Sequence, residues 1–367
     1  MNSSDVAASA ANALNAPAAT ALVGSLPGDD SWEATAVVRG ELPELPGIVE
    51  LPARGPGADM VGRTMALLAA VSTEFAVTTT PTGWRLAGHR TSTLPSVMRR
   101  ASSWLAEDLD AAESAFADFS GSYKIQLAGP WTAAASIELA NGDRLLRDNG
   151  AVAELQSAFR EALIAHVAQV NRRLPNARLF VQLDEPMIDQ VLQGSVVTPS
   201  GFDSYPAVAA PHVSAVLATL TDTAREMGCF AGVHTCATDP PLALLRTVNC
   251  DFTSFDVARL TTSRGVVRDR ADEELGLLLD LGRMLFAGLP VDIGNQPEPR
   301  RTLAPLSSAL ARLGIGSDTV LNQLVLTPTC GLAGSGSLAN VQTVISHLNV
   351  AGRALRDERV EEAGSSR

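Results

Sequence analysis

The sequence predicts a (β/α)8 TIM barrel, one α/β domain with a short inserted hairpin. Three observations lead there. Short β-type runs alternate with longer Ala- and Leu-rich helical stretches, the runs number eight, and the chemically reactive residue types fall at their C-terminal ends. At 367 residues the chain suits one large barrel with short extensions. Its 46% hydrophobic but only 4% aromatic content means that Ala, Val and Leu must fill the core.

Residues 1–19 lack apolar periodicity and read as a flexible leader. The barrel is expected over 20–355. Its eight runs are TALVGS (20–25), GIVELPA (47–53), YKIQLAG (123–129), LFVQLDE (179–185), FAGVHT (230–235), DFTSFD (251–256), MLFAGLP (284–290) and LVLTPT (324–329). EFAVTTTPTGWRL (74–86) has strand character on both sides of a Thr-Pro-Thr-Gly turn, so it reads as a hairpin inserted after the second unit. Helices are expected over 103–119, 150–174 and 212–228, the last stopping at Gly228. Residues 356–367 read as a charged tail. A doubly wound sheet shares the alternation of elements, but no G-x-G-x-x-G follows the first run; ARGPGAD (53–59) and CGLAGSG (330–336) have other spacings.

A formal charge of −12, with no Lys/Arg cluster, argues against a nucleic-acid partner. Nothing resembles a signal peptide, and no stretch of about 20 residues is apolar enough to span a membrane, so a cytoplasmic setting is expected. Four scattered cysteines form no disulfide framework and read as thiols or metal ligands.

Gly24-Ser25, Asp184-Glu185, His234-x-Cys236, Asp256, Asp292 and Cys330 all lie at or just beyond the C-terminal ends of predicted strands, and in a barrel those ends converge on one face. An imidazole and a thiolate two residues apart suit zinc, although His-x-Cys alone also describes ordinary core residues. Cys330 sits in LTPTCGLAG, a constrained turn. Asp256 supplies a carboxylate for a fourth ligand; a helix cap or an ion pair is its other reading. Glu185 either orients Asp184 or a substrate amine, or anchors the following loop. Trp131 reads equally as pocket wall or packing. Cys229 and Cys250 precede their strands and should be buried at the opposite end. His89, His166, His212 and His347 read as surface or capping residues.

VHTCATD (233–239), DFTSFDVAR (251–259) and LTPTCGLAG (326–334) resemble the zinc motifs of the cobalamin-independent methionine synthase family. VQLDEPMI (181–188), AGPWT (128–132) and VGSLP (23–27) are similar to three further segments of its catalytic C-terminal barrel, in the same order. The resemblance implies a zinc-dependent homocysteine methyltransferase with His234, Cys236, Asp256 and Cys330 as ligands, Asp256 replacing the family's Glu. It also implies that Gly24, Ser25 and Asp184 contact the amino-acid substrate, Asp184 through its ammonium group. Departures fall on the methyl-donor side: Gly294 stands where the family's general-acid His follows Asp-Ile, Ser136 where it stacks a Trp, Gln190 for a Glu, and Arg54 or Gly55 for a further substrate Glu. These losses suit a methyl-corrinoid donor, presented by a partner protein, better than a folate. A corrinoid-linked methyltransferase for another small thiol and a catalytically silent zinc-binding barrel are the alternatives.

Overall fold

The computed structural model describes residues 13–14, 16–88, 93–262 and 265–365. His89, residues 1–12 and 15 of the expected leader, and residues 366–367 of the expected tail lie outside the described residues. The strands in chain order are β1 Ala19–Thr20, β2 Val77–Thr80, β3 Gly83–Leu86, β4 Ser122–Ala128, β5 Ile137–Glu138, β6 Arg178–Asp184, β7 Phe230–Thr235, β8 Phe252–Asp256, β9 Met284–Leu289 and β10 Leu324–Pro328. Seven of them form one curled parallel sheet in the order β1-β10-β9-β8-β7-β6-β4.

The runs expected at 123–129, 179–185, 230–235, 251–256, 284–290 and 324–329 are all found as strands, within a residue or two. The first two runs differ. Residues 20–25 keep a ladder only through Ala19–Thr20, and 47–53 forms no ladder at all. Instead Gly47 bridges Lys124 and Glu50 bridges Ser25, both parallel. Pro46 and Pro52 bracket this segment and remove two donors, which leaves room for bridges rather than a ladder. β2 and β3 form the expected hairpin, and β3 also pairs in parallel with β5.

Helices cover the sheet and begin where the sequence offers caps. Asp30 accepts from Trp32 N and Glu33 N before helix Ser31–Glu41, Asp59 from Val61 N and Gly62 N before Met60–Val71, and Asp148 from Gly150 N and Ala151 N before Asn149–Arg173. Gly228, at φ +79°, follows helix Ala210–Glu226. The last helix, Leu338–Ser365, runs through most of the segment read as a tail. No helix among the described residues is long and apolar enough to cross a membrane.

Alternation along the strands divides the core in two. Tyr123, Ile125 and Leu127 of β4 and Leu179, Val181 and Leu183 of β6 face the helices in the main cluster. Phe180, Phe252, Met284, Phe286 and Val325 pack together on the other face, with Phe252 and Phe286 stacked at 4.3 Å between centroids. Further along the same strands that inner face turns polar, with Lys124, Gln126, Gln182 and Ser254 buried. Beyond them stand Asp184 and His234, both also buried.

His166 and His347, expected at the surface, are 2% and 4% exposed. His166 lies on the inward face of the long helix Asn149–Arg173, where the apolar pattern outweighs the polarity of one ring. Its Nδ1 has no hydrogen-bond partner among the described residues. Burial, aided by the Arg63 charge, pushes its pKa down from 6.5 to about 4. Between those values the unfolded chain binds a proton that the folded chain refuses, so stability falls as pH drops from 6.5 towards about 4. The full effect is on the order of 3 kcal/mol. Urea unfolding at pH 7 and pH 4.5 checks this: His166→Leu should lose distinctly less stability across that interval than the parent, and an equal loss would show that His166 is not responsible.

Candidate metal centre

Parallel pairing brings the reactive residues together. Asp184 pairs with His234 across β6 and β7, and His234 with Ser254 across β7 and β8. One ligand atom each from His234, Cys236 and Cys330 lies within 4.8 Å of the others. Cys330 follows β10, whose strand neighbours are β1 and β9, so this thiol crosses the strand-end face to reach the other two. Tetrahedral zinc would hold such donors about 3.5–3.8 Å apart, so closing the set would take a contraction of no more than roughly 1 Å.

The ring of His234 is prepared for a ligand role. Its Nδ1 lies 2.8 Å from Ser254 Oγ, while its buried Nε2 has no partner among the described residues. If Nδ1 carries the proton and donates to Ser254, Nε2 offers its lone pair. Between the two sulfurs, a hydrogen bond from Cys236 pulls Cys330 well below the usual thiol range. Cys236 is pushed far up, first by that same bond to Cys330 and then by burial. Cys229 and Cys250 are buried away from this set, and burial pushes Cys229 up to about 11.

Asp256, expected as the fourth ligand, is not in the group. Its carboxylate accepts from Ala258 N at 3.0 Å and pairs with Arg259 at 3.1 Å, because the helix Ala258–Thr262 begins directly beyond the strand and offers both partners. The described cluster thus has three donors, to which a tetrahedral ion would need a fourth ligand added.

Ser25 touches the turn that carries Cys330. Its carbonyl accepts from Leu332 N at 2.7 Å, and a Cβ placed on Gly331 would come 2.1 Å from Ser25 Oγ, so this approach needs glycine. The amides of Gly24 and Ser25 donate to no acceptor among the described residues. Asp184 accepts from Gln182 Nε2 at 2.7 Å. Burial raises its pKa, against the pull of His234 and Lys124.

Glu185 is occupied elsewhere. It accepts from Trp131 N at 3.0 Å, Thr132 N at 2.7 Å and Thr132 Oγ1 at 2.7 Å, and so anchors the start of helix Pro130–Ser136. Burial pushes it up to about 7 despite those bonds. Trp131 is 1% exposed with its indole N–H on Val213 O, a packed position. Arg54 pairs with Asp108 at 2.9 Å and with Glu107 at 3.6 Å. Exposed Asp292 accepts from Asn295 Nδ2 at 2.6 Å and Gly294 N at 3.1 Å, which hold its carboxyl below the usual range.

The sequence reading passed over Lys124, Glu50, Gln126, Gln182 and Ser254, all buried on the inner face. Their signal was present as polar residues at inward positions of otherwise apolar strands. Burial brings Lys124 down to about 8 and Glu50 up to about 7, with Asp184 among the charges acting on each.

Fold and donors together define a parallel α/β protein with a candidate zinc-type cluster at the C-terminal ends of its strands. The comparisons with known proteins narrow this at the level of fold. A solved structure of a B12-independent methionine synthase from Shewanella sp. W3-18-1, in complex with selenomethionine, superposes with a TM-score of 0.57 over 94% of this chain and 100% of that one, at 13% identity. No protein-family model matches the sequence, and no curated protein does either.

The three bonds to Glu185 set an expectation for its removal. Glu185→Ala leaves the Trp131 and Thr132 amides buried without acceptors and should lower unfolding stability by about 3 kcal/mol. Chemical denaturation measures this, and an unchanged midpoint would return Glu185 to the pool of substrate contacts.

Proposed function

We propose that this chain is a zinc-dependent methyltransferase that methylates the thiol of homocysteine to give methionine. One observation carries the reading: an unpartnered imidazole nitrogen and two sulfurs, drawn from distant parts of the chain, converge within 4.8 Å. The fold likeness to a methionine synthase supports it, as do the motifs around His234, Cys236 and Cys330. The working unit is one barrel over residues 20–355, and the bridges Ser25–Glu50 and Gly47–Lys124 support a ring closed through its second segment. Four free thiols suit the cytoplasm.

When bound, zinc supplies a positive centre that turns a thiol of pKa about 8.5 into a thiolate at neutral pH. His234, Cys236 and Cys330 would hold the metal, with Ser254 fixing the imidazole ring. A tetrahedral ion held by these three would leave one position, which the substrate sulfur would take. Asp256 would serve as a ligand only after leaving Arg259 or through a water. Asp184 is the partner for the substrate ammonium, and the free amides of Gly24 and Ser25 suit its carboxylate.

A folate donor needs its leaving nitrogen protonated. Asp292-Ile293-Gly294 offers no proton there, because Asp292 is held ionised by Asn295 and Gly294. A methyl-corrinoid, brought by a partner protein, leaves without a proton and fits these residues better.

Metal analysis and methyl-transfer assays test the proposal. The purified protein should carry one zinc per chain and methylate homocysteine from methylcobalamin faster than from methyltetrahydrofolate, and Cys330→Ser should weaken zinc binding at least about ten-fold. Equal zinc affinity in Cys330→Ser, or failure of the zinc-loaded protein to bind homocysteine, would contradict the reading. Zinc without transfer from any methyl donor would favour a silent barrel.

A further inference from the structure

Lys124 is 2% exposed in the middle of the polar inner layer, and a lysine is costly to bury unless its charge has a task. Its Nζ donates to Val23 O at 2.7 Å and to Gln126 Oε1 at 3.2 Å. The same carbonyl accepts from Gln182 Nε2 at 2.9 Å. Two side chains from two strands therefore hold one peptide oxygen.

The Val23–Gly24 peptide is planar and trans, so its C=O and N–H point in opposite directions. Fixing Val23 O towards Lys124 and Gln182 thus fixes the direction of the Gly24 N–H, which has no acceptor among the described residues. A charge-assisted bond to the carbonyl also polarises that peptide and strengthens its N–H as a donor. Gln126 closes the arrangement from the other side: a Cβ on Gly24 would lie 2.7 Å from Gln126 Nε2, and that amide is itself tied to Ile48 O at 3.1 Å. One residue further on, Ser25 abuts the turn that carries Cys330.

We infer that Lys124 is a positioning residue that aims the Gly24 amide at the carboxylate of the amino-acid substrate, and so sets the enzyme's preference for an amino acid over a simple aminothiol. The inference rests on the homocysteine reading above. Lys124 does not touch the three metal donors, so its loss should leave zinc binding intact; its charge also pulls on Asp184, whose ammonium partner both thiols carry, so the carboxylate effect is the loss of homocysteine affinity beyond that of the aminothiol.

Isothermal titration of the zinc-loaded full chain with homocysteine and with 3-aminopropane-1-thiol, which lacks only the carboxylate, tests it. Lys124→Met should weaken homocysteine about ten-fold or more beyond any loss shared with the aminothiol, while zinc stays within about two-fold of the parent. Equal weakening of both thiols, or no change for homocysteine, would overturn the inference. Should Lys124→Met not fold, Lys124→Gln keeps a neutral donor and should show the same selective loss at about three-fold; loss of both ligands alike would overturn it. A parent protein that binds neither thiol would instead overturn the methyltransferase reading, and this inference with it.

Discussion

Parallel strand pairing in a fixed register is the constraint on which the site depends. The ladders place Asp184 beside His234 and His234 beside Ser254. A slip of one residue in β7 would turn His234 towards the helices and Val233 into the interior. Phe230 of the same strand opposes such a slip, because it packs at 4.9 Å from Phe180 against the apolar layer and would be turned away from it. The chemistry at one end of the sheet is thus held in place by hydrophobic packing at the other.

Between those two layers lies a polar stratum that joins them. Lys124 donates to Gln126, and Lys124, Gln182 and Gln126 donate to the carbonyls of Val23 and Ile48, so the strand end at 23–26 is shaped from below. Ser25 then contacts the Cys330 turn, and Gln182 also holds Asp184. A half-satisfied network of this kind would be costly at such burial, and a satisfied one confers rigidity. The proposed substrate contacts at Gly24, Ser25 and Asp184 therefore share a common support.

Much of this was legible in the sequence. Strands β6 to β10 stood out because each is a short apolar run with polar punctuation, and the three donors stood out because soft ligand types ended those runs. The second strand was less legible: prolines at 46 and 52 reduce it to two bridges, which no periodicity reveals. Asp256 and Glu185 looked like site residues because they end strands, but each has nearer backbone partners that only the folded chain supplies. His166 and His347 looked like surface residues because a lone ring says little, whereas the helix face they occupy says more. Lys124 was overlooked inside a strand pattern that a single lysine does not disrupt.

The central claim is that one imidazole and two thiolates grip a single ion. X-ray absorption at the zinc edge of the loaded protein reads that coordination shell directly. The account predicts two sulfurs at about 2.3 Å and one imidazole nitrogen at about 2.0 Å, the remaining position being filled by a light atom in the absence of substrate. A shell of nitrogen and oxygen alone, or one that keeps both sulfurs in Cys330→Ser, would contradict it.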